Sequence, residues 1–116
     1  AYFRVIYLLS EVFPCWWDTH THIYTSLTAD ETFRHGLGSL RPIVHRIAQI
    51  CRLDLFSTEI ARDAWGSLIV TDYVNDPLDL RLQSAAADGV PDAIVVKIAD
   101  RLAGLVQVGT KTCLNR

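Results

Sequence analysis

The chain has 116 residues, 50% of them apolar and 21% charged. One domain of ordinary globular composition accounts for that; disorder and most larger architectures are excluded. Eleven basic residues against thirteen acidic ones leave a net charge of −2, without the basic excess that would point to nucleic acid or an anionic membrane.

Tyr2 to Leu9 is rich in aromatic and β-branched residues and reads as a strand, broken at Phe13-Pro14-Cys15-Trp16-Trp17 because proline cannot continue a central ladder. Asp18 to Leu27 then alternates. Thr19, Thr21, Ile23, Thr25 and Leu27 share one face, and Asp18, His20, His22, Tyr24 and Ser26 the other, as in a second strand. Thr28-Ala29-Asp30-Glu31 is a capping box and predicts a short helix from Ala29 to about Gly36. Ser39 is positioned to cap the next helix, whose first turn accommodates Pro42. Over Leu40 to Leu53, Ile43, Val44, Ile47, Ala48, Ile50 and Cys51 fall on one arc and Arg41, His45, Arg46, Gln49 and Arg52 on the other.

Ser57 or Thr58 would cap a third helix carrying Ile60, Ala61, Ala64, Trp65 and Leu68. Ser67 to Val74 reads as a strand, Asn75-Asp76-Pro77 as a turn, and Leu78, Leu80 and Leu82 as the buried face of a returning strand. Pro91 opens a last helix with Ile94, Val95, Ile98, Leu102, Leu105 and Val106 on its apolar face, and Gly109 lies beyond its end. The order is β-β-α-α-α-β-β-α over a single domain, 1–116. It predicts an α+β fold with a four-stranded, mostly antiparallel sheet and helices packed on one face. Ile47, Ile50, Cys51, Leu80, Leu82, Ile98 and Leu102 are the expected core.

Cys15, Cys51 and Cys113 are odd in number and lack a CxxC spacing, which implies reduced thiols and a cytoplasmic setting, with Cys51 buried. The longest apolar run, Val5 to Leu9, falls far short of the ~20 residues a bilayer demands. No signal peptide is visible, and Ala1 fits a mature terminus after removal of Met.

Asp18-Thr19-His20-Thr21-His22 is the most chemical stretch of the chain. On a strand, period two would put Asp18, His20 and His22 on one face as ligands for a divalent metal such as zinc or manganese. The string resembles the first-strand signature of amidohydrolases and of the polymerase and histidinol phosphatase family, a resemblance that implies metal-dependent hydrolysis. It covers five residues of a chain shorter than the roughly 250 residues of such barrels. His20-Thr21-His22 is also similar to the metal motif of HUH endonucleases, for which Tyr73 would stand as nucleophile. That family's bulky middle residue and its lysine after the tyrosine are replaced here by Thr21 and by Val74-Asn75-Asp76-Pro77.

Ile98 to Leu102 resembles a helix of the His-Asp phosphohydrolase domain of stringent-response enzymes, without the His-Asp pair at Thr71-Asp72. Leu102 to Leu105 resembles a homing-endonuclease motif without its acid.

Arg34, Arg41, His45 and Arg52 form a candidate anion- or partner-binding set. Asp72, Asp76 and Asp79 supply an acidic counterpart, so a second copy of the chain is the expected partner. The functional expectation is therefore a non-enzymatic structural or interaction protein that self-associates without a cofactor. The alternative is a small metal-dependent hydrolase or phosphodiesterase using Asp18, His20 and His22.

Overall fold

A computed structural model describes residues 1–75 and 78–114, with side chains as far as residue 106. Asp76 and Pro77 of the expected turn lie outside the described residues, as does the Cys113 side chain. The elements run β1 (Tyr2–Leu8), β2 (Glu11–Trp17), β3 (Tyr24–Ser26), α1 (Ala29–Arg34), α2 (Leu40–Cys51), β4 (Leu55–Arg62), β5 (Leu68–Asn75) and α3 (Asp92–Leu114). The strands form one antiparallel sheet in the order β3-β2-β1-β4-β5.

The α+β class is as expected, with five strands in place of four. The helices divide between the two faces. Phe3, Val5 and Tyr7 of β1 meet Val44, Ile47 and Ala48 of α2, together with Val12, Phe56 and Ile60. Ile6 and Leu8, one residue out of phase, meet Val90, Ile94 and Ile98 at the start of α3, together with Cys15 and Tyr24. Period two in a strand buried on both sides makes β1 a continuous apolar run, with a single charge at Arg4.

Four expectations are corrected. Phe13 to Trp17 belongs to a strand, paired with β1 from Phe3↔Trp16 to Leu8↔Glu11. Pro14 is tolerated because its carbonyl accepts from Leu27 N–H (3.0 Å). In an antiparallel ladder both backbone groups of a residue point to the same side, so the missing N–H takes nothing from the β1 pairing.

Residues 18–22 form a turn, and only Tyr24–Ser26 is strand. The expected third helix is β4, whose long-range pairing with β1 overrides an i, i+3/i+4 pattern. The stretch carrying Leu78, Leu80 and Leu82 is irregular apart from a Leu82↔Val90 bridge, and the hairpin partner of β5 is β4.

The capping box is present, with Thr28 accepting from Glu31 N–H and Glu31 accepting from Thr28 N–H. Ser39 occupies the N-cap position of α2 without a side-chain cap. The backbone of α3 continues through Gly109. Ile47 and Ile98 are buried and Leu80 partly so, whereas Ile50, Cys51, Leu82 and Leu102 are exposed. Among the described residues no helix is long and apolar enough to cross a membrane.

Candidate functional site: a polar groove beside Arg4

α3 covers the β3-β2-β1 side of its face and leaves Arg4 and its β4 neighbour Glu59 beside a groove of about 370 Å³. Trp17 of β2, Tyr24 of β3, His22 of the preceding turn, and Asp79, Arg81 and Asp88 of the segment before α3 complete the walls. The alternation that buries Ile6 and Leu8 on this face necessarily brings Arg4 to it as well.

Arg4 is contacted on three sides. Its guanidinium lies 4.4 Å from the centre of the Trp17 ring, NH1 donates to Tyr24 Oη (3.1 Å), and NH2 is 3.4 Å from Glu59 Oε1. Burial works against its charge, but the Tyr24 and Glu59 contacts outweigh that and raise its pKa. Its Nε is buried without a hydrogen-bond partner, and so is the Trp17 indole Nε1. Ser57 pairs with Ile6 on one side and with Asn75 on the other, which brings both to this face of the sheet. Ser57 Oγ and Asn75 Nδ2 are likewise buried without partners.

Of the five such side-chain atoms among the described residues, four therefore belong to this face, and three of them are donors only. Buried polar groups are nearly always paired, so four unpaired atoms set this face apart from the other.

The opposite wall is held by charge. Arg81 is bidentate to Asp79 (Nε to Oδ1 3.1 Å, NH2 to Oδ2 2.9 Å) and reaches Asp88 Oδ2 at 3.1 Å. Hydrogen bonds to Asp79 and then Asp88 raise the Arg81 pKa, and the Arg81 backbone and side chain lower that of Asp79. Gln83 Nε2 donates to the Tyr24 carbonyl (2.8 Å) and ties this wall to β3.

Known proteins offer no guide here. Comparison with protein-family models, curated proteins and solved structures finds no match.

The sequence-predicted site residues lie elsewhere or take other roles. Asp18 Oδ1 accepts from the backbone N–H groups of Thr21 (3.0 Å) and His20 (2.8 Å), which lowers its pKa and closes the 18–22 turn. With that turn the shared strand face disappears. His20 is exposed, and His22, at φ +61°, stacks flat on Trp17 with ring centres 5.3 Å apart. Among the described residues no three His, Cys, Asp or Glu side chains gather around a metal-sized space.

The proposed basic set is not gathered either. Arg34 pairs with Asp30 in α1 (2.7 Å), Arg41 lies beside Pro14 and Leu27, His45 packs edge-on against Tyr7, and Arg52 ends α2. Tyr73 is strand, as expected, but exposed. Sequence reasoning missed the groove, although Arg4 was its flag: a lone charge amid the apolar run of β1. Glu59 was hidden by the helical reading of its segment.

Proposed function

We propose that this domain binds a small, acceptor-rich molecule carrying an oxyanion group in the groove beside Arg4. The observation that carries the reading is the polar lining of the groove, where Arg4 and Arg81 from distant parts of the chain border one space. The volume of about 370 Å³ matches roughly a dozen waters at ~30 Å³ each, the size of a small metabolite. Arg4 supplies the charge-assisted contact, since a guanidinium stacked on an indole is already oriented and loses little freedom on binding. The test is calorimetric titration with citrate, inorganic pyrophosphate and glucose. The reading expects an oxyanion to bind and Arg4→Ala to remove that binding. Binding by neither oxyanion, or binding unchanged in Arg4→Ala, refutes it.

A second reading is self-association, favoured by Leu102 and Leu105, which stand 37% and 44% exposed on α3. Light scattering across a dilution series tests it: Leu105→Glu is expected to shift a dimer toward monomer, and a wild-type monomer at all concentrations refutes it.

A further inference from the structure

Tyr24 contacts both the Arg4 guanidinium and the segment that carries Arg81. Its hydroxyl accepts from Arg4 NH1 (3.1 Å) and its backbone carbonyl accepts from Gln83 Nε2 (2.8 Å), two residues from Arg81. Its side chain is buried in the cluster formed by Ile6, Leu8, Ile94 and Ile98, so neither acceptor can drift. We propose that Tyr24 is the positioning residue for both arginines of the groove, an inference that rests on the ligand-binding reading above.

Tyr24 acts on Arg4 through direction. Stacking on Trp17 sets the height of the guanidinium above the ring but not its rotation in the plane. The 3.4 Å contact with Glu59 is too long to set that rotation firmly. The Tyr24 hydroxyl therefore sets it. NH1 and NH2 carry two N–H groups each, so engaging one of each with Tyr24 and Glu59 leaves the other for a ligand.

The Arg81 arm works through the backbone. Gln83 N–H donates to Val90 O and Val90 N–H to Arg81 O, so the ends of the 81–90 segment are joined by hydrogen bonds. The Gln83 side chain anchors that segment to β3 through Tyr24.

The experiment titrates citrate and inorganic pyrophosphate into the full chain, its Tyr24→Phe and Gln83→Leu variants, and each of these in an Arg4→Lys background. Lysine retains the charge but lacks the rigid planar fork whose rotation the hydroxyl sets. Tyr24→Phe is expected to weaken binding about tenfold in the wild-type background and by less than about twofold in Arg4→Lys, the non-additivity of coupled residues. Gln83→Leu leaves the ring in place and is expected to weaken binding similarly in both backgrounds.

Unchanged affinity in Tyr24→Phe, or an equal loss in both backgrounds, overturns the Arg4 arm; unchanged affinity in Gln83→Leu overturns the Arg81 arm. In each case wild-type binding still stands and the groove reading survives. Absence of binding by the wild type overturns the groove reading itself, and the inference with it.

Discussion

Ser10 and Leu9 turn β1 into β2 with φ of 77° and 45°, left-handed values at both central positions of a two-residue hairpin. Such turns favour Asn-Gly, because a side chain at positive φ costs roughly 1–2 kcal/mol. Leu9 packs against the α3-side core, whereas Ser10 is exposed. Ser10→Gly is therefore expected to raise stability by about 0.5–1 kcal/mol, read by urea denaturation. Burial separates two of the cysteines in the same local way. Cys15 is buried and its thiol is pushed up to about 12, whereas Cys51 is exposed. Alkylation at neutral pH followed by peptide mass spectrometry should mark Cys51 and spare Cys15 until the chain unfolds. The burial of Cys15 beside two Trp was legible in the sequence; the turn, which no Asn or Gly marked, and the exposure of Cys51, which fell on the apolar arc of its helix, were not.

At the scale of elements, α1 depends on its cap, because none of its six residues is buried. The Thr28 backbone N–H and hydroxyl, with Trp16 Nε1 (2.9 Å), lower the Glu31 pKa. A carboxylate whose folded pKa is depressed adds stability above its unfolded pKa and loses it as pH falls through the folded value. Thermal melts should therefore show a loss of stability below about pH 5, shallower in Glu31→Gln. This cap was legible because it is local, four consecutive residues satisfying one another. The groove wall is held differently. A Cβ on Gly89 would lie 2.5 Å from the Arg81 carbonyl and 2.8 Å from that of Leu82. Backbone cannot yield as a side chain can, so Gly89→Ala is expected to cost about 1–3 kcal/mol by denaturation and to weaken binding in the groove.

For the whole molecule, α3 is the element that closes the second face of the sheet, and Ile98 is 1% exposed at its centre. Ile98→Ala should cost about 2–5 kcal/mol in equilibrium unfolding through lost burial and a residual cavity. A loss below about 1 kcal/mol would mean that α3 does not pack on the sheet.

The α+β class, the strand at β1, the cap of α1, the α2 segment and the core role of Ile98 follow from the sequence alone. Each rests on a pattern confined to one stretch of chain: alternation, a helical period or a reciprocal cap. The tertiary structure alone decided that Phe13 to Trp17 continues as a strand through Pro14 and that residues 55–62 extend against β1. It also decided where function is sought. Arg4, Trp17, Tyr24, Glu59 and Arg81 come from four strands and a distant loop, and only the sheet's order and register bring them to one groove. Pairing between distant strands is a property of the assembled sheet, set by which partner buries each face, and no local window contains it.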